Sequence, residues 1–162
     1  MGILPEEIER IVNAALVAEL TVINAKGRPV THPMIPLYDG SKLYFHSSIL
    51  YSKKLAHVRA NPRVAVAISD PRGVPVDPFH RVTIQGDARV IDDDVHRGWE
   101  PAVLQLWIDK EPIVRDFYNK RVALPLFWER AVIEVTPRRA ILWEHGRTDL
   151  PPKVFELEAV SL

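Results

Sequence analysis

The chain has 162 residues, which is enough for one domain with a buried core. Lysine plus arginine and aspartate plus glutamate both number 21, so no basic excess favours binding to nucleic acid or to an anionic membrane. The absence of cysteine excludes disulfides, thiolate nucleophiles and cysteine-bound metals. The N-terminal segment begins with acids rather than a basic region, and no apolar run approaches the roughly 20 residues of a membrane span, so we expect a cytoplasmic protein.

The first part of the chain predicts one helix followed by three strands. The helix covers residues 5–13, where a proline and several acids precede apolar positions at helical spacing. Strand patterns follow at residues 18–24, 30–38 and 42–46, separated by turn signals. An antiparallel meander is the simplest topology for these three strands.

The later segments predict more strands around a helical insert at residues 92–121. Apolar residues at helical spacing, including Trp99, Val103 and Trp107, predict a buried helix face in the insert, and a second helix is expected from Asp109. The strands are predicted at residues 63–69, 80–91, 127–135 and 138–144, with a bulge at Gly86 and a turn at 136–137. Residues 154–162 fit either a strand or a helix. Six or seven strands with few helices predict a mainly β fold, an antiparallel barrel with peripheral helices.

The segment from residue 43 to residue 62 combines features of an anion site. Hydroxyl and lysine side chains follow one another at its centre, namely Ser47, Ser48, Tyr51, Ser52, Lys53 and Lys54. Ser52 opens a short helix, whose N-terminus presents unpaired N–H groups and a partial positive charge. Two lysines in the first turn oppose the helix dipole unless an anion offsets them. The alternative is that Ser52 caps a surface helix and the lysines are only solvated, and the residues alone leave both interpretations open.

Two strands carry features expected beside a ligand. Pro33 and Pro36 cannot donate to a sheet ladder, so the edge of their strand should face something other than a neighbouring strand. That gap could admit a ligand. In a later strand, Arg81, Thr83 and Gln85 alternate with apolar residues and form either an ordinary solvated face or the wall of a cleft.

The order of these motifs resembles the pyridoxamine 5′-phosphate oxidase-like FMN-binding split barrels. The matching pieces run from residue 18 to residue 144 and read GRPVTHPMIPLYDGSKLYFHSS, YSKKLAHVRANPRVAV, HRVTIQG and EVTPRRAILWE. The resemblance implies that residues 1–162 form a single split-barrel domain. It also implies a homodimer that holds FMN in the groove between its two subunits.

The resemblance further implies a set of cofactor-binding residues. The hydroxyl and lysine run would hold the ribityl phosphate, main-chain groups of Met34 and Ile35 would face the isoalloxazine ring, Arg81 would approach the flavin, and Trp143 would come from the partner chain. The full set is Thr31, Met34, Ile35, Pro36, His46, Ser47, Ser48, Ser52, Lys53, Lys54, Arg81 and Trp143.

Several positions depart from the oxidase proper. Thr31 and Pro36 stand approximately where that enzyme has an Arg and a Lys that help to bind the phosphate, so phosphate affinity would rest more on Lys53 and Lys54, with Arg81 as a further candidate. The segment after Trp143 does not match the oxidase's substrate-binding end. We therefore expect a member of the general flavoprotein branch rather than a vitamin B6 oxidase.

Three functional hypotheses follow from the resemblance. The first is an FMN-dependent oxidoreductase that acts on an unidentified small molecule, with catalytic residues unassigned. The second is a reductase of the same fold that uses the deazaflavin F420, whose longer anionic tail would contact further basic residues such as Arg59, Arg63 and Arg72. The third is a flavin- or haem-binding protein without turnover, in which His32, His46 or His80 would supply an axial haem ligand. No His, Asp and Glu cluster has the spacing of a zinc site.

Overall fold

A computed structural model describes residues 2–49, 52–120 and 125–157, which form one curled antiparallel sheet with helices around it. The strands are β1 (Ala18–Ile23), β2 (Pro29–Met34), β3 (Leu37–Tyr38), β4 (Leu43–Ser48), β5 (Arg63–Ile68), β6 (Arg81–Ile91), β7 (Arg130–Trp143) and β8 (Lys153–Glu156). The helices are α1 (Glu6–Ala14), α2 (Lys53–Ala60), α3 (Glu100–Lys110) and α4 (Ile113–Lys120). The mainly β split-barrel class with peripheral helices is confirmed. Tyr51, which was grouped with the anion site, lies outside the described residues.

The strand order is β2-β1-β5-β6-β7-β4-β3. β8 pairs with the last part of β7, on the side opposite β6 and beyond the end of β4. The predicted meander is wrong, because the segment 30–38 is interrupted at Ile35 and Pro36 and its two halves lie at opposite ends of the sheet. Pro36 has no N–H for a ladder, so the chain leaves one edge there and joins the other as β3. The expectation for Pro33 is confirmed, since β2 is an edge strand that pairs only with β1.

The predicted turn at residues 136–137 is also wrong, because β7 continues through it as one strand of 14 residues. Gln85 pairs with Arg139 and Gly86 pairs with Pro137, so Arg138 is the extra residue of a bulge. A bulge accommodates Pro137, which cannot donate to the ladder. The bulge expected at Gly86 is confirmed.

The described residues form eight strands rather than six or seven. Two predicted strands merge into β7, the segment 30–38 is divided into β2 and β3, and β8 is added.

The inner face of the curled sheet holds the main core. The apolar stripe of α1, formed by Ile8, Ile11 and Val12, is fully buried against it, as the helical spacing predicts. Leu55 and Val58 attach α2 to the same core. Because side chains alternate along a strand, every second residue of each strand faces outward.

The helical insert covers only part of the outer face. Trp99, Val103 and Trp107 pack on Tyr44 of β4 and Val132 of β7, which confirms the buried aromatic stripe. The helix begins at Glu100 rather than at residue 92, because Pro101 fits only the first turn of a helix. No described helix combines the length and the apolar character needed to cross a bilayer.

Lys110 at the end of α3 fixes the insert to the rest of the fold. Its Nζ donates to the carbonyl oxygens of Val12 (3.0 Å) and Ala15 (2.9 Å) and also to the carbonyl oxygen of Pro36. These carbonyls lie at the end of α1 and at the break between β2 and β3. The ammonium group therefore joins three segments that the sheet alone does not connect.

Replacing Gly86 tests the bulge. A Cβ at this position would lie 2.4 Å from the carbonyl oxygen of Thr136, which is backbone and cannot move aside without disrupting the β6–β7 ladder. We expect Gly86→Ala to lower the free energy of unfolding by about 1–3 kcal/mol, the usual cost of overpacking, as measured by urea denaturation. The exposed neighbour provides the control, since Gln85→Ala should change stability far less. Equal effects of the two variants would contradict the bulge geometry.

Candidate functional site

The end of β4 and the start of α2 bring two serine hydroxyls together. Ser47 is buried, and its Oγ donates to the carbonyl oxygen of Ser48 at 3.0 Å. Because a hydroxyl has one hydrogen, the 3.0 Å contact between the Oγ atoms of Ser47 and Ser52 is donated by Ser52. No backbone N–H of α2 donates to the side chain of Ser52, contrary to the alternative in which it only caps the helix. The first turn of α2 thus keeps N–H groups that this side chain does not satisfy.

Basic side chains gather beside this helix start. Lys53 is exposed, whereas Lys54 is partly buried, and this burial lowers the pKa of its ammonium group. Burial also lowers the pKa of His32, with further contributions from the nearby positive charges of Lys54 and His57. The Nε2 atom of His32 is buried and has no hydrogen-bond partner. We call His32, Lys54 and His57 the basic corner, in which no described carboxylate contributes to the electrostatic environment of His32 or Lys54.

The residues expected beside a flavin ring at the β2 edge range from exposed to buried. Thr31 is exposed, with its Oγ1 at 2.8 Å from the Oγ1 of Thr21. Met34 is the last residue of the β2 ladder, and Ile35 follows outside any strand. Pro36 is buried, and its carbonyl oxygen is used by Lys110.

Arg81 and Trp143 are direct cross-strand partners of β6 and β7. Their side chains alternate with the buried residues Val82 and Leu142, which places them on the outer face of the sheet. The Nε atom of Arg81 is buried without a hydrogen-bond partner. Within one chain, this pair therefore lies on the opposite face of the sheet from Ser47, which faces the core.

The outer face near Arg81 continues as an uncovered surface of β1, β5 and β6. It contains an open cavity of about 630 Å³, whose lining includes Thr21, Ala65, Gln85 and Arg138. Thr21, Ala65 and Gln85 are adjacent in register, and Ala65 in the middle carries only a methyl group. The polar face predicted for β6 thus borders a shallow cleft in the single chain.

His46 lies under the helical insert rather than at the basic corner. Its ring packs on Trp107 with 4.1 Å between centroids, and its Nδ1 is 2.8 Å from the Nη1 of Arg130. Burial, followed by the positive charge of Arg130, lowers the pKa of His46 to about 3, so the ring is neutral at ordinary pH. Burial also lowers the pKa of Arg130 to about 10, which leaves it charged at pH 7.

The sequence reasoning missed Arg130. The side chain is 6% exposed, and its guanidinium carbon lies 4.2 Å from the ring centroid of Phe127 and 5.0 Å from that of Trp107. An arginine at the start of a strand usually indicates a solvated position, and no local pattern marks it as buried. Only the packing of the insert on β4 and β7 encloses it.

Several side chains considered for other cofactors have partners inside the chain, whereas the Nε2 of His32 has none among the described residues. Arg59 pairs with Asp92, and Arg72 pairs with Asp70 at 2.7 Å. The Nδ1 of His80 accepts a hydrogen bond from the backbone N–H of His145 at 2.9 Å. These contacts occupy groups that the F420 and haem hypotheses assign to a ligand.

The curled antiparallel sheet with peripheral helices places this chain in the split-barrel class. The sequence profile of the pyridoxamine 5′-phosphate oxidase family matches residues 4–144, and the chain belongs to that family. The resemblance drawn from the motifs is thereby confirmed. No curated protein sequence matches the chain.

Solved structures show the same fold at low sequence identity. One is a Clostridium acetobutylicum protein related to general stress protein 26 of B. subtilis, of the pyridoxine phosphate oxidase family (15% identity, TM-score 0.62, covering 93% of this chain and 92% of that chain). Another is an F420 reductase (23%, TM-score 0.60, 85% and 98%). A third is a haem-binding protein from Mycobacterium smegmatis (16%, TM-score 0.65, 93% and 57%). Relatives named for different cofactors thus share this fold.

The environment of His46 predicts its behaviour with pH. Its pKa of about 3 lies below the unfolded value of 6.5, so between these values the unfolded chain binds more protons than the folded one. We therefore expect the free energy of unfolding to fall as the pH decreases from 6.5 towards 3, and His46→Gln to make this dependence shallower. NMR of the ring nitrogens should show a neutral His46 at pH 5, with the variant identifying the resonance. A ring that titrates near 6.5 would contradict this environment.

Proposed function

We propose that the protein is an FMN-binding flavoprotein and that the start of α2 with the basic corner binds the FMN phosphate. The observation that carries this proposal is the group of His32, Lys54 and His57 without an offsetting carboxylate, beside a helix start that Ser52 does not cap. A phosphate dianion would accept hydrogen bonds from backbone N–H groups and from Lys54, and it would offset the local positive charge. The Nε2 of His32 has no hydrogen-bond partner among the described residues. In the tautomer that carries the hydrogen on Nε2, this atom would donate to a phosphate oxygen.

The flavin ring would lie along the β2 edge near Met34 and Ile35. When bound, FMN supplies hydride and electron transfer, while the protein supplies orientation and electrostatics. The buried and unpartnered Nε–H of Arg81 provides a donor for a carbonyl oxygen of the ring, where negative charge develops on reduction. An oxidoreductase that acts on a small molecule is the activity that this arrangement supports best.

A homodimer would explain why the proposed site residues fall into two groups. Arg81 and Trp143 lie on the outer face of the sheet, whereas the start of α2, where the phosphate is proposed to bind, lies on the other side. Two copies of the chain are therefore needed to place both groups around one ligand. The small side chain of Ala65 lets a second copy approach the uncovered surface closely. The cavity there would become part of the subunit interface.

FMN is preferred to F420 and haem because of the contacts inside the chain. Arg59 and Arg72 already form ion pairs and are less available for a long anionic tail. His46 and His80 each accept a hydrogen bond at Nδ1, so the neutral ring carries its hydrogen on Nε2 and offers an iron no lone pair, and His46 is also enclosed by Trp107. The third haem candidate, His32, lies in the basic corner, where its Nε2 is assigned to the phosphate. The basic corner therefore favours a compact terminal phosphate.

Comparing FMN with riboflavin tests the phosphate seat, because the two ligands differ only in the phosphate. We expect the double variant Lys53→Ala, Lys54→Ala to weaken FMN binding about 10- to 100-fold, since a hydrogen bond to a charged group contributes about 1.5–3 kcal/mol. Riboflavin binding should change little. Flavin fluorescence quenching measures both affinities.

Lys26→Ala is the matched control, because Lys26 is an exposed lysine in the turn between β1 and β2. Its FMN affinity should equal that of the wild type. Undiminished FMN binding by the double variant would reject the phosphate assignment, and clearly tighter binding of F420 in a parallel titration would reject the choice of cofactor.

The homodimer is tested by adding a charge to the uncovered surface. Ala65→Arg places a long cation between Thr21 and Gln85, where a second copy would have to exclude it. We expect a folded variant that sediments as a monomer and binds FMN more weakly than the wild type does. Ala56→Arg, at an exposed position of α2, should remain a dimer. A dimer that Ala65→Arg leaves intact would place the interface elsewhere.

A further inference from the structure

The contacts between Arg130 and His46 fix where their hydrogens lie. An arginine only donates, so the Nδ1 of His46 accepts from the Nη1 of Arg130 at 2.8 Å. The neutral imidazole then carries its hydrogen on Nε2. This Nε2 and the Nε of Arg130 are both buried and have no hydrogen-bond partner among the residues that the structure describes. The cluster therefore contains two buried donors that lack an acceptor.

The charge of Arg130 is also unbalanced. The residue is 6% exposed, and among the described residues no carboxylate forms an ion pair with it. Removal of an unpaired charge from water costs several kcal/mol, and the faces of Phe127 and Trp107 offset only part of this cost. Glu134 shows the contrasting case, because this buried carboxylate binds both Lys42 at 2.8 Å and Arg89 at 2.7 Å.

We propose that Arg130 and His46 form a binding site for an anionic group, with the Nε–H of Arg130 and the Nε2–H of His46 as donors to carboxylate or phosphate oxygens. Both orphaned atoms are donors, so an acceptor that carries negative charge satisfies them and balances the guanidinium at once. Aromatic side chains flank the site, which suits the anionic group of a ligand with an apolar or planar body.

The position of the cluster connects it to the proposed cofactor site. Arg130 pairs in register with Ser48, and His46 precedes Ser47 on β4. The anionic group has two possible sources: a carboxylate or phosphate on the small-molecule substrate, or the phosphate of FMN, in which case the start of α2 is not the phosphate site. The anion site itself does not depend on FMN, because it follows from the donors and the charge of Arg130.

The test is a titration of the full-length protein with inorganic phosphate and with acetate, followed by NMR of the Arg130 Nε–H resonance. We expect a saturable shift with a Kd of about 1 mM or tighter for at least one anion, together with a rise in Tm. Arg130→Lys identifies the resonance by its loss and should weaken anion binding at least about tenfold, because an ammonium cannot reproduce the guanidinium fork. Arg139→Lys, on the same strand but paired with Glu156, should bind as the wild type does.

A second variant separates a binding role from a structural one. Arg130→Met removes an unpaired buried charge, so without anions it should be at least as stable as the wild type. In the Lys53→Ala, Lys54→Ala background, which lacks the lysines proposed to bind phosphate at the start of α2, its Tm should no longer respond to phosphate or acetate. A resonance of Arg130 that does not move with either anion in the wild type would overturn the proposal. So would an anion response that Arg130→Lys retains in full.

Repeating the titration with FMN-saturated protein distinguishes the two sources. If the cofactor phosphate occupies the site, FMN abolishes the response to small anions and Arg130→Lys weakens FMN but not riboflavin. If a substrate anion occupies it, the FMN-loaded protein still binds acetate or phosphate and the variant keeps its FMN affinity. A protein that binds the anions but no FMN would refute the proposed function and leave this site standing.

Discussion

The pairing of β6 with β7 is the interaction on which the rest of the structure depends. These strands stay in register from Arg81 and Trp143 at one end to Ile91 and Val132 at the other, on both sides of the bulge. β5 joins the free side of β6 and β1 joins β5, while β4 joins the first half of β7. The β6–β7 ladder therefore holds the strands of the uncovered outer surface and the strand β4, which ends beside α2, in one sheet.

Local charge imbalance in a chain with no net charge is what separates the candidate site from the rest of the surface. Most exposed arginines have acidic partners, as Arg147 has in Asp149. Lys54 with its neighbouring histidines, and Arg130 under the insert, have none among the described residues. A cation left without an acid in a partly dry environment lowers stability, so its presence at two neighbouring places favours ligand binding over structural support.

The sequence predicted what depends on local periodicity and failed where tertiary contacts decide. The apolar spacing of α1 and the glycine bulge are properties of neighbouring residues, and both were predicted correctly. The turn at Pro137 and the meander were wrong because a proline that lacks a ladder hydrogen bond marks either a turn, a bulge or a strand break, and only long-range pairing selects among them. The family motifs singled out Ser47 and Ser52, whose hydroxyls the structure brings into contact, but nothing local to Arg130 predicts its burial.

The helical insert is the element that gives His46 a different role from its neighbours on β4. Ser47 faces the interior and contacts Ser52, whereas His46 faces the opposite side and meets Trp107 of α3. Burial there keeps the ring neutral, and the neutral ring can accept from Arg130 only through Nδ1, which leaves Nε2 as a donor. Without the insert both side chains would be hydrated and their hydrogen bonds would be satisfied by water. The insert thus converts two ordinary polar residues into a buried pair whose two remaining donors have no acceptor among the described residues.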